Sequence, residues 1–123
     1  MALHMPQEVE VWYLLPALRR ELARVFVDEE GLSQKEAAEL LGLTQAAVSQ
    51  YLHTKRGSDL KFTKQELTDI RAEAKGIRKN PNSIMQSLND LCRRMMGGKT
   101  MCDLHRRLDG TIPATCSVCK VAA

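Results

Sequence analysis

The chain has 123 residues, 44% of them hydrophobic and 27% charged, the balance of a globular chain and not of a disordered one. Aromatic residues are only 4% (Trp12, Tyr13, Phe26, Tyr51 and Phe62). That argues against a single-strand binder built on stacked rings and for a helical core of Leu, Ala, Val and Met. A net charge of +3 conceals two unlike halves, because residues 1–60 hold six basic groups against nine acidic ones and residues 61–123 hold twelve against six.

The longest apolar-looking run, Val9 to Leu18, is broken by Glu10 and falls short of the roughly 20 residues of a membrane span. Glu8 and Glu10 stand where a secretory signal would carry basic residues, so a cytoplasmic chain without membrane partners is expected. Val11, Leu15, Leu18, Leu22 and Val25 form one helical stripe. Pro16 fits the first turn of a helix but not its middle, which predicts a helix over about 16–28 with 8–15 as its lead-in. Ser33 and Glu36 make a capping box for a helix over about 33–41, ended by Gly42. Thr44 is an N-cap for the next helix, which runs to about Thr54. Thr63 and Glu66 form a second capping box that opens a helix over about 64–76. Asn80-Pro81-Asn82-Ser83 breaks the chain before a helix over about 83–96, ended by Gly97-Gly98. From there to Ala123 the pattern is loop-like. The expected fold is all-α: a helix–turn–helix domain over 8–60, a connecting helix and linker over 61–82, and a small loop-rich cysteine segment over 83–123.

Residues 33–54, SQKEAAELLGLTQAAVSQYLHT, carry the most specific pattern. Two helices crossing at a steep angle need a small residue at their contact, here Ala38, and a bend four residues later, here Gly42. Val48 and Tyr51 or Leu52 are the core positions of the second helix, with Val48 and Leu52, four apart, as its plugs. Gln45, Ala46, Ser49 and Gln50 are left facing outward. Gln suits adenine and an Ala methyl suits thymine, so these side chains can read major-groove edges. Lys55, Arg56, Lys61 and Lys64 follow as a positive strip that meets only Asp59. The stretch resembles the lambda-repressor-like (xenobiotic-response-element type) helix–turn–helix regulators, and residues 14–57 are similar to archaeal members of that group. The resemblance implies a homodimer on double-stranded DNA, with Gln45, Ala46, Ser49 and Gln50 on bases and Ser33, Gln34, Thr44, Lys55 and Arg56 on phosphates. The acidic run Asp28-Glu29-Glu30 departs from that pattern and must point away from DNA.

The four cysteines, Cys92, Cys102, Cys116 and Cys119, all lie in the last third of the chain. A reducing compartment disfavours a disulfide framework, and thiols in a segment poor in apolar residues suggest a metal centre that supplies folding energy. By spacing, two readings stay open: zinc held by Cys102, His105, Cys116 and Cys119, or all four cysteines on an iron–sulfur cluster or on zinc. The resemblance extends to a regulator subgroup with a C-terminal cysteine cluster, which implies an iron–sulfur centre on Cys92, Cys102, Cys116 and Cys119 that senses redox or cluster status. Cys116-x-x-Cys119 as a thiol-redox pair lacks the βαβ context of that chemistry. There is no Ser/His/Asp set, phosphate loop or paired-carboxylate constellation. The expectation is a dimeric DNA-binding regulator and not an enzyme, with no small-molecule substrate; a nucleic-acid adaptor with structural zinc is the alternative.

Overall fold

The computed structural model describes residues 4–119 and is helical throughout, with no strand among the described residues. In chain order the elements are α1 (Pro6–Val9), a π-turn (Glu10–Leu14), α2 (Leu15–Arg24), a second π-turn (Val25–Glu29), α3 (Gln34–Leu41), α4 (Gln45–His53), α5 (Lys64–Lys79), a 3-10 turn (Pro81–Ser83), α6 (Ile84–Met95) and α7 (Lys99–Leu108).

The first helix is longer than its sequence suggests. It runs without a break from Pro6 to Glu29, and Pro16 sits inside it. The π-turn explains how. At its end the Leu15 amide reaches back to the Glu10 carbonyl, one residue further than in an α-helix, so the hydrogen-bond register is already widened where the proline lacks a donor. The extra residue also rotates the apolar face. Val11, expected in the stripe, is 54% exposed, while Val9 and Leu14 are buried in its place and Leu15 is half-buried. Beyond the turn the ordinary period resumes with Ala17, Leu18, Leu22, Val25 and Phe26 in the core.

Helix α2 is the central post, and α3, α4, α5 and α6 all pack on it. Both predicted capping boxes form. The Glu36 amide donates to Ser33 Oγ at 3.0 Å while the Ser33 amide donates to Glu36 Oε1 at 3.1 Å. The Thr63–Glu66 box is equivalent, at 3.1 and 2.8 Å. Helix α5 extends further than expected, to Lys79, carrying Ile70, Ala74 and Ile77 into the core at four- and three-residue steps. Helix α6 buries Leu88, Leu91, Cys92 and Met95.

The largest departure is α7, where a loop was expected. Gly98 is its N-cap, Met101 and Leu104 are its buried residues, and His105, Arg106 and Arg107 lie in its last turn, where positive charge suits the helix dipole. Two buried apolar residues and a half-buried Leu108 are a thin stripe. The N-terminal segment helps hold it: His105 Nε2 donates to the His4 carbonyl at 2.7 Å. At its far end the buried Asp109 carboxylate accepts from the Thr111 amide and hydroxyl at 3.0 and 2.6 Å, bonds that hold its carboxyl below the usual range.

Two glycines fix the path of the chain around α4. Gly42 takes φ +68° after α3, and a Cβ there would meet nothing within 4 Å. Gly57 takes φ +76°, and its Cβ would lie 2.5 Å from the Pro16 carbonyl oxygen on α2. Gly42→Ala is therefore expected to lose about 1–2 kcal/mol of unfolding free energy, the left-handed penalty alone. Gly57→Ala should lose clearly more, because backbone must also move. Urea denaturation of both variants checks this, and equal losses would contradict the close approach.

Candidate nucleic-acid interface

Helix α4 is held by its inner face and its two ends. Val48 and Tyr51 are fully buried, and Leu52, expected as the second plug, is only half-buried. Tyr51 replaces it because the ring is locked from both sides. The ring is buried with Val48 three residues before it, and the Arg56 guanidinium stands 4.5 Å from the ring centroid, within cation–π range. At the N-terminus of α4 the Ala47 amide donates to Thr44 Oγ1 at 3.1 Å.

The C-terminal end is secured by a residue the sequence did not single out. Arg20 Nη1, reaching from α2, donates to the carbonyls of Tyr51, Thr54 and Arg56 at 3.0, 2.7 and 3.2 Å. These are the orphan acceptors at and beyond a helix end, and a guanidinium bonds them with charge assistance. Nothing in the local spacing marks Arg20 apart from Arg19, so only the folded geometry reveals it. Arg20→Gln is expected to lower stability by about 1–2 kcal/mol, in the range for hydrogen bonds to a charged group less solvent screening. It should also speed amide exchange across Thr54–Gly57, read by hydrogen-exchange mass spectrometry; protection equal to that of the unsubstituted chain would contradict the clamp.

The outer face carries the residues expected to read bases. Gln45, Ala46 and Gln50 are exposed, and Ser49 is half-buried. Gln50 does not point free. Its Oε1 accepts from Arg56 Nη1 at 2.8 Å, leaving the amide nitrogen and one lone pair for a base edge. Of the residues expected on phosphates, Ser33 and Thr44 spend their hydroxyl acceptors on capping amides, yet both remain exposed at helix N-termini, where backbone dipoles favour anions. The Gln34 amide nitrogen lies 3.2 Å from His53 Nε2, a contact between the start of α3 and the end of α4. Lys55 and Arg56 are exposed. Glu36 is a capping group of α3, bonded through Ser33. Its carboxyl is held below the ordinary range first by the Ser33 amide and then by the Ser33 hydroxyl. Its contribution is therefore present above the unfolded carboxyl value and is lost as pH falls through the lowered native one.

The acidic run is turned onto α5. Glu29 pairs with Arg71 at 3.0 Å and Glu30 with Arg78 at 3.5 Å. The charges of Glu29 and Glu30 are thus paired on another helix, while Asp28 makes no ion pair among the described residues and lines a cavity with Ser58 and Lys61.

The cysteines divide. Cys102 lies on α7, and Cys116 and Cys119 lie in the segment after it. Burial, and then the negative charges of Cys102, Cys116 and Glu10, push the Cys119 thiol up, so these three thiols share one neighbourhood. Cys92 belongs to another. It is buried on α6 beside Leu15, Arg19, Leu41 and Leu88. Burial first and Glu10 second push its thiol up to about 12, with Arg19 opposing. All four are free thiols. The donor chemistry suits a thiophilic metal, but among the described residues no group of three or more His, Cys, Asp or Glu side chains is placed to close around an ion. In this arrangement the four thiols are not gathered into one donor set, Cys92 standing apart on α6. A thiol neutral to about pH 12 is unreactive, so Cys92 should alkylate only on unfolding, after Cys102 and Cys116, when iodoacetamide labelling at neutral pH is followed by mass spectrometry. Cys92 reacting first would contradict its placement.

No helix among the described residues is long and apolar enough to cross a membrane. No curated protein and no solved structure shows a significant match to the chain. Residues 22–57 match the model of a helix-turn-helix family. That stretch runs from the last turn of α2 through α3 and α4 to the glycine that packs on Pro16, and it supports a DNA-binding regulator built on this helix pair.

Proposed function

We infer that the chain is a sequence-specific transcriptional regulator that works as a homodimer on double-stranded DNA, with α4 as its reading helix. The carrying observation is the outer face of α4, where Gln45, Ala46 and Gln50 stand exposed on a helix whose inner face and both ends are fixed. A reading helix must be rigid, because base edges reward donors and acceptors only at set positions. Two copies would place their reading helices on half-sites about 34–36 Å apart, one turn of the duplex.

The cysteine segment is the sensory part in this reading. Four reduced thiols, three in one neighbourhood and flanked by Arg93, Arg94, Lys99, Arg106 and Arg107, are a donor set for an iron–sulfur cluster on Cys92, Cys102, Cys116 and Cys119. To close that set, the segment carrying Cys116 and Cys119 would have to move relative to α6. Structural zinc is the second reading, favoured by the separate surroundings of Cys92, which leave Cys102, Cys116 and Cys119 as the donors in common.

Selection from a random duplex pool, followed by binding of Gln45→Ala and Gln50→Ala, tests the reading helix. Each variant should lose about 1–3 kcal/mol of discrimination at one base position while keeping salt-dependent binding to any duplex. Unchanged sequence preference in both would overturn the assignment. Protein purified without oxygen is expected to contain iron and sulfide, and Cys116→Ser to lose them together with any redox response of binding. One zinc per chain supports the second reading, and no metal at all refutes both.

A further inference from the structure

We propose that the DNA-contacting surface does not end with the helix–turn–helix but continues onto α7, where Lys99 and Arg107 join Lys61 in holding backbone phosphates. The proposal rests on the DNA-binding reading above and extends it to a helix outside the matched residues. A groove of about 760 Å³ opens between the 58–63 loop and α7, with Lys61, Lys99 and Arg107 on its walls and Ser58 and Thr63 at its loop side. It begins two residues beyond Arg56, so it continues the basic strip that leaves the reading helix. Phosphate contacts in such complexes come from side chains that flank the reading element, which is where this groove lies.

Two carboxylates, Asp59 and Asp103, also line it. Asp103 is already occupied: Lys99 Nζ lies 2.6 Å and Arg106 Nη1 3.5 Å from its oxygens. The Lys99 side chain is 87% exposed, so that pair is water-screened and can be exchanged for a phosphate. Arg107 is exposed and makes no ion pair or hydrogen bond among the described residues. The two walls are held in register through one atom. Glu66 Oε1 accepts from the Thr63 amide at 2.8 Å and from the Thr100 hydroxyl at 2.8 Å. The N-cap of α5 and the first turn of α7 are thereby joined, and Cys102 follows two residues after Thr100. The thiol-bearing helix would thus itself touch the duplex.

The test is the salt dependence of duplex binding by the full chain. Each phosphate contact contributes about 0.9 to the slope of log affinity against log salt. Lys99→Gln/Arg107→Gln should therefore flatten the slope by about 2, and Arg107→Gln alone by about 1, with the selected sequence preference kept. Lys99→Arg/Arg107→Lys should restore it. Lys75→Gln/Lys79→Gln removes the same charge from the far end of α5, roughly 16–23 Å along the helix from Lys64, and should leave the slope unchanged. A slope for Lys99→Gln/Arg107→Gln equal to that of the unsubstituted chain, or a loss matched by the α5 variant, overturns the proposal. If the unsubstituted chain binds no duplex, it is the DNA-binding reading that fails instead.

Discussion

Everything at the proposed reading surface depends on how α2 grips α4. The grip has three parts: burial of Val48 and Tyr51 on the α2 side, the Arg20 guanidinium on three carbonyls at the end of α4, and the Gly57 backbone lying against Pro16. Each addresses a different freedom. Burial sets the rotation of the helix, the guanidinium stops its last turn from fraying, and the glycine directs the following loop back along α2. A nine-residue helix has little stability of its own in water. Its exposed glutamines are held in place only because the opposite face and the ends are held.

How much of this could be read beforehand follows from what kind of physics marks each element. Caps are local, so Ser33–Glu36 and Thr63–Glu66 were legible from spacing and are found bonded as expected. The bend at Gly42 is equally local, since φ > 0 favours the one residue without a Cβ. The π-turn over Glu10–Leu14 was not legible, because an extra residue in a helical turn leaves no compositional trace. It moved Val11 outward and Val9 and Leu14 inward, so the stripe failed there and held beyond it. Helix α7 was missed for a different reason. Its short apolar stripe is completed by contacts far away in sequence, His105 to His4 and Thr100 to Glu66.

At the candidate interface, the exposed positions of α4 were predictable from the period of the helix, whereas the partners that hold them were not. Arg20 lies more than thirty residues from the carbonyls it binds. The choice of Tyr51 over Leu52 as the second plug turns on Arg56 stacking over the ring. The cysteines show the same limit: spacing groups them by number, while the fold separates Cys92 from the three others by its burial on α6.

These features make one mechanical unit of what reads as separate segments. The Glu66 carboxylate links the loop after α4 to α7, α7 carries Cys102, and Glu10 lies close enough to influence both Cys92 and Cys119. The most direct check on the whole account is an amide chemical-shift map of the full chain titrated with a selected duplex. Large shifts confined to Ser33–Gln34, Thr44–Arg56, the 58–63 loop and α7, whose first and last turns carry Lys99 and Arg107, are the predicted result. Shifts centred instead on the face where Glu30 meets Arg78, with Gln45 and Gln50 unmoved, would show that the molecule meets DNA with another surface or not at all.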